Sequence, residues 1–293
     1  MNANKDPFTA ANYCVSFIDL LGQRIAMRNQ KLLPTFDSDS DEQQFRDIIK
    51  NSVGAIIKLQ KQAEDLVGTI LKPNLHSPLR TSLSKEQQKM WDLMHTTKLT
   101  NQYWSDGLVS FACLGAKDVQ CHVNGVFGLF AMAGTFCLIG LATKRPVRGA
   151  IEIAWGIELR PGELYGPAVA RAYELESEIA QFPRIVVGEE TIKYLRAHQA
   201  NQVADPFSQV DSQLAEICLG MVTQDVDRYF ILDYLGIGFQ NAVSKESHIP
   251  LYAQAKDFVL AQLSEHHEGR NTKLALRYSQ LHKYFESRPL SGQ

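Results

Sequence analysis

Eighteen consecutive residues, Gly125 to Ala142 (GVFGLFAMAGTFCLIGLA), carry no charge and are followed closely by Lys144 and Arg145. Such a run is at the lower edge of the length that crosses a bilayer. It is a single run, and strand-like sequence brackets it on both sides, so the expected element is a buried helix lying on a sheet. A membrane-tethered sensor is the rival reading, and a protein recovered from the membrane fraction would revive it.

The flanks define that sheet. Asn12 to Leu21 (NYCVSFIDLL) reads as a mostly apolar strand ending in an aspartate, and Gly22 breaks it ahead of a short helix. Pro34 to Asp41 is an acidic loop. Gln43 to Leu71 repeats Phe45, Ile48, Ile49, Val53, Ile56 and Ile57 at helical spacing, Pro73 and Pro78 interrupt it, and Ser84 caps a helix running to Met94. A hairpin follows, with arms near Leu99–Ser105 and Leu108–Leu114 and the Asp106-Gly107 turn signal at its tip. After the apolar helix, Val147 to Leu159 alternates: Ile151, Ile153, Trp155 and Ile157 share one face, Arg148 and Glu152 the other. A helix opens near Gly166 or Pro167, Arg184–Val187 and Tyr229–Asp233 read as strands, and Glu189–His198 as a helix. Two tail helices fill Pro250 to Arg288, with Leu274, Tyr278, Leu281 and Phe285 on one face of the second. The order implies an α/β (α+β) sheet of ferredoxin-like kind with flanking helices. The expected division is a catalytic domain over 1–235, with a helical insertion at about 36–98, and a C-terminal helical extension over 236–293.

Composition removes several function classes. With 293 residues, 45% hydrophobic and 21% charged, the chain has material for a sizeable core, and a net charge of −2 gives no electrostatic case for nucleic acid or an anionic membrane. Cys14, Cys113, Cys121, Cys137 and Cys218 are widely spaced with no CxxC pair, which points to a reducing cytosol. MNANKDPFTA lacks the apolar core of a signal peptide. No P-loop, GxSxG, HExxH or strand-borne GxGxxG occurs, and His266-His267 reads as a solvated loop between the tail helices.

Carboxylates remain. A charge ending an apolar strand, as Asp19 does, is costly unless paired or metal-bound. Asp19 and Asp106, at the ends of neighbouring strands, offer the hard oxygen donors that two divalent ions need when bridging a nucleotide's phosphates. The same residues are equally read as a helix cap and a turn former.

FIDLLGQR (Phe17 to Arg24) resembles the first-strand motif of the class III nucleotide cyclases, YWSDGLVSF their hairpin, VRGAIEIAWGIEL their central strand, and YGPAVARAYELESEIAQFPRIVVG the following helix and strand. The wording FIDLLG, SDG and YGPAVARAYELES is most similar to the bacterial pyrimidine nucleotide cyclases of Pycsar antiphage systems. The resemblance implies two Mn²⁺ or Mg²⁺ ions held by Asp19, the Leu20 carbonyl and Asp106, with Phe17, Leu21, Gly22, Gln23, Arg24, Gln102, Trp104 and Glu163 around the nucleotide. It implies a cytoplasmic homodimer that makes a cyclic pyrimidine nucleotide from UTP, or from CTP, for a separate effector. Lys and Asp would read adenine at the positions of Gln102 and Glu163, so this pair argues against cyclic AMP. Ala170 and Glu174 replace the family's Asn and transition-state Arg. Arg171, Arg148 and Arg24 are the candidate replacements, with Arg148, on the open face of its strand, best placed for a phosphate. The rival class is a catalytically silent cyclase-like module that binds a nucleotide or a partner.

Overall fold

Strand β1 (Ala10–Leu20) is apolar on both faces because a long antiparallel strand lies on each side of it, β3 (Gly107–Cys113) and β4 (Val147–Arg160), and helices cover both faces of the resulting sheet. The computed structural model describes residues 10–23, 33–70, 81, 84–94, 97–116, 119–201, 205–243 and 248–288. In chain order the remaining elements are α1 (Asp39–Ile70), α2 (Lys85–Met94), β2 (Thr100–Trp104), α3 (Val123–Ala142), β5 (Glu163–Tyr165), α4 (Pro167–Glu174) and a π-helix (Leu175–Ile179). They continue with β6 (Ile185–Val187), α5 (Glu189–Gln199), α6 (Pro206–Gly220), β7 (Val222–Gln224), β8 (Phe230–Leu232), α7 (Ile237–Val243), α8 (His248–Glu268) and α9 (Thr272–Glu286). The sheet has eight strands in the order β2-β3-β1-β4-β6-β8-β7, with β5 attached to β4. Only the β4–β6 pairing is parallel among these ladders. The α/β sheet with flanking helices expected from the sequence is what the chain forms.

The uncharged run is α3, long and apolar enough to cross a membrane, yet 78% of its apolar window lies buried inside the protein. Leu129, Phe130, Met132, Phe136 and Leu141 of α3 pack on Ile18, Leu108, Ile151 and Ile185 of the sheet. Each such side chain contributes about 1.5–3 kcal/mol of apolar burial. The helix start is satisfied by a buried carboxylate: Asp211 of α6 accepts from the backbone N–H groups of His122 (3.2 Å) and Val123 (3.0 Å). The opposite face of the sheet is thinner. Tyr13, Val15, Phe17, Val109 and Phe111 meet Ala168, Val169 and Ala172 of α4, and Ala150 and Val186 meet the π-helix.

Helix α1 covers the hairpin edge, placing Ala55 and Leu59 in the α3 core while Tyr103 of β2 donates to Glu64 at 2.9 Å. Ser84 and Gln87 form a reciprocal capping box at α2. Tail helices α8 and α9 pack on this same chain, with Tyr252, Phe258, Tyr278, Leu281 and Phe285 in the core beneath α3.

Some expectations needed adjustment. The hairpin turn is Ser105-Asp106 rather than Asp106-Gly107, because Trp104 pairs with Gly107 and Ser105 takes the positive φ of 51°. Gly107 enters the strand, where a Cβ would lie 3.2 Å from the Trp104 carbonyl. His266 and His267 are not in a loop but in the last turn of α8. The Pro73 and Pro78 interruption, and most of the short helix after Gly22, lie outside the described residues.

Gly149 fixes the closest approach in the sheet. A Cβ there would lie 2.4 Å from the Phe17 carbonyl and 2.9 Å from Ile185 Cδ1, so no side chain fits between β1, β4 and β6. Gly149→Ala is expected to lower the unfolding free energy by about 1–3 kcal/mol, read as a lower urea midpoint at unchanged m.

Candidate active site

The β1–β3 register decides where the carboxylates go. Asp19 pairs with Gly107, the residue after Asp106, and the Leu20 N–H donates to the Asp106 carbonyl at 3.2 Å. The two aspartates expected to act together therefore flank one backbone contact. Alternation along β1 places Asp19 on the same face as Phe17, under α4 and the π-helix and away from α3.

Arg148 lies opposite Asp19 in the β1–β4 ladder. Its Nη2 stands 3.5 Å from Asp19 Oδ2 and its Nε 2.5 Å from Glu176 Oε1. The sequence put Arg148 on an open face; that face is covered by α4 and the π-helix, and the guanidinium is clamped between two carboxylates. Glu176, buried on the π-helix, was missed by sequence reasoning. A signal was present, because Ala168, Ala172 and Glu176 recur every four residues along the buried stripe of α4. The helix then winds into π geometry, closed by the Ala180 N–H donating to the Leu175 carbonyl at 2.9 Å.

The electrostatics are unbalanced. Burial pushes the Glu176 carboxyl from its ordinary 4.5 to about 7; the Arg148 charge opposes this, and the Asp19 and Asp106 charges add to it. Among the described residues two carboxylates, Asp19 and Glu176, thus pair with Arg148. Among the described residues no group of three or more His, Cys, Asp or Glu side chains forms a cation cage. Magnesium-type ions do not need one, since they bind through one or two carboxylates, water and substrate phosphates. Asp19 and Asp106, which adjoin at the end of the β1–β3 ladder, fit that requirement.

The expected nucleotide contacts separate into two groups. Phe17 makes edge contacts with Trp104 (5.8 Å between centroids) and Tyr173 (5.4 Å). These rings adjoin an open groove of about 540 Å³ lined by Trp104, Trp155, Tyr165, Arg171 and Tyr173. Gln102 is drawn to the neighbour of Glu163: its Oε1 accepts from the Leu164 N–H at 3.2 Å. Glu163 itself is exposed, 3.8 Å from Arg160. The other group turns away. Gln23 accepts a hydrogen bond from Ser52 of α1 (2.6 Å), and the Leu21 N–H donates to the Pro146 carbonyl (2.9 Å). Gly22 takes a φ of 93°, which lets the chain leave the sheet. Arg171 is exposed and paired with Glu174 at 2.8 Å. Arg24 lies outside the described residues.

No protein-family model matches the chain, and no curated protein does. Among solved structures it is similar to the dimeric guanylyl cyclase domain of the RhoGC fusion protein from the aquatic fungus Blastocladiella emersonii, at 13% identity and a TM-score of 0.42 over 77% of this chain and 96% of that one. The monomeric form of that domain gives 14% identity and a TM-score of 0.40 over 76% and 95% of the two chains. The catalytic core of a rhodopsin-guanylyl cyclase with converted specificity, in complex with ATPalphaS, gives 11% and 0.39 over 78% and 99%. Likeness at this level carries no argument about chemistry or partners, which rest here on the chain's own residues.

Because Glu176 binds its proton more tightly in the folded chain than in the unfolded one, its contribution to stability falls as pH rises from about 4.5 to about 7 and is level above that. Glu176→Gln is expected to flatten the dependence of Tm on pH in that window, measured by thermal melts at fixed ionic strength.

Proposed function

We propose that this protein is a metal-dependent nucleotide cyclase that converts a pyrimidine ribonucleoside triphosphate, UTP in preference to CTP, into its 3′,5′-cyclic monophosphate and pyrophosphate. One observation carries the reading: Asp19 and Asp106 adjoin at the end of the β1–β3 ladder, beside an aromatic groove.

Asp19, Asp106 and the Leu20 carbonyl would hold two divalent ions, which when bound neutralise the triphosphate and acidify the ribose 3′-hydroxyl. The 3′-oxygen attacks the α-phosphorus in line as the bond to the pyrophosphate oxygen breaks, so the protein's work is positioning and charge neutralisation. Arg148, 3.5 Å from Asp19, would be the arginine placed to neutralise charge on the transferring phosphate. Trp104, exposed in the groove and backed edge-on by the buried Phe17 ring, offers a ring face to a base. With its oxygen engaged by the Leu164 N–H, Gln102 has its amide N–H groups left to act as donors. A donor suits the O4 acceptor of uracil better than the N4 amino group of cytosine, and this supports UTP.

Trp104, Trp155, Tyr165 and Tyr173 are 42%, 51%, 65% and 49% exposed, an apolar surface that a second copy of the chain would cover. This supports the homodimer that the sequence resemblance implies. A cytoplasmic antiphage role, with the product read by a separate effector, follows from the resemblance in motif wording alone. One observation favours the silent module instead: two of the three candidate arginines are occupied by carboxylates, Arg148 by Asp19 and Glu176, Arg171 by Glu174.

Incubating the purified protein with each ribonucleoside triphosphate and Mn²⁺ separates these readings. Cyclic UMP is the expected main product. Asp19→Ala and Asp106→Ala should each reduce it by about a thousandfold, the loss of several kcal/mol of charge stabilisation. Absence of any cyclic product favours the silent module, and preference for ATP overturns the base assignment. Gln102→Ala should lower kcat/KM for UTP about tenfold, the worth of one hydrogen bond, while leaving turnover of the weaker substrates almost unchanged.

A further inference from the structure

Strands β1, β4 and β6 end together beside Asp19. Asp19 pairs with Arg148, and the next residue, Gly149, pairs with Ile185 and donates its N–H to the Arg184 carbonyl at 3.0 Å. Two strand spacings put the entry of β6 about 10 Å from the end of β1, a separation that an extended triphosphate covers. Helix α9 reaches this place from the C-terminal end of the chain. Arg277 Nη2 donates to Gln181 Oε1 at 3.3 Å, and Gln181 lies between the π-helix and β6.

The surroundings of Arg277 are unusual for a half-buried cation. Among the described residues no carboxylate lies within ion-pair distance of it. Its partner is a neutral amide, and a second guanidinium, Arg148, is its electrostatic neighbour. Burial first, and then the Arg148 charge, hold its guanidinium below the ordinary range. Arg148 is already held by Asp19 and Glu176, so Arg277 is the cation of the two that has no carboxylate partner among the described residues. A guanidinium in that position is matched by an anion with several oxygens, which its planar fork binds in bidentate fashion.

We propose that Arg277 binds the β- and γ-phosphates of the nucleotide, and afterwards the departing pyrophosphate, so that the tail helix forms part of the active site. This rests on the nucleotide reading of Asp19 and Asp106 but is tested apart from it. The probe is pyrophosphate with Mn²⁺, titrated by calorimetry into the full chain, alongside steady-state kinetics with UTP.

Arg277→Ala is expected to weaken pyrophosphate binding about tenfold or more and to raise KM for UTP with a smaller change in kcat, at unchanged Tm. Arg277→Lys should restore part of the affinity, and Gln181→Ala, which removes the docking contact but keeps the charge, should retain most of it. The inference is overturned if the wild type does not bind pyrophosphate, or if Arg277→Ala binds it within twofold of wild type. It is also overturned if Gln181→Ala costs as much as Arg277→Ala, which would make the contact one of docking only. A wild type that binds pyrophosphate through Arg277 but forms no cyclic product would remove the cyclase reading and leave the phosphate site standing.

Discussion

The antiparallel register of β1 against β4 is the constraint on which the rest of the molecule depends. Eleven residues of β1 are paired, and Gly149 allows the strands to close where any larger residue would hold them apart. Because strand side chains alternate, a slip of one residue would turn Asp19 into the apolar layer beneath α3 and lift Ile18 into the site. The burial of Cys14, Ile18 and Leu20 by α3 therefore does more than stabilise the sheet. It decides on which face the carboxylate emerges.

Once Asp19 emerges there, it enters a crowded electrostatic environment. Arg148 answers it from β4, Glu176 answers Arg148 from the π-helix, and Asp106 stands behind both from the hairpin turn. A half-buried arginine clamped by carboxylates is ordinarily a structural device. Here the tight hold of Glu176 on its proton follows first from burial, which outweighs the opposing Arg148 charge, and the Asp19 and Asp106 charges add to it.

Much of this was legible in the sequence, for identifiable reasons. The apolar run could only be buried once its strand-like flanks were recognised, and it became α3. FIDLL and SDG singled out Asp19, a charge at the end of an apolar strand, and Asp106, a hairpin-turn residue, and the β1–β3 register brings the two together. What escaped reading depended on three-dimensional proximity. Arg148 reads as exposed on an alternating strand, because nothing in VRGAIEIAW announces the helix that covers it. Glu176 sits among other glutamates and differs from them only in facing inward. Helix α6 was not anticipated, although Asp205-Pro206 opens it in a recognisable way, with the Asp205 carboxylate accepting from the Phe207 and Ser208 N–H groups. Arg277 lies far along the chain from every motif, and only the packing of α9 brings it to the strand ends.

The π-helix between α4 and β6 gives the site a degree of freedom that the sheet lacks. Its ring closes over five residues, one more than an α-helix uses, so the segment carries a single surplus residue between two fixed ends. Such a surplus can be removed without altering either the strand ladders or the α3 core. Losing one residue between Leu175 and Ile179 would return the turn to α spacing and rotate a different side chain toward Arg148. The identity of the group that holds the arginine is thus separable from the architecture around it, and related chains could retune this centre through an insertion or deletion while every residue of the sheet stayed the same.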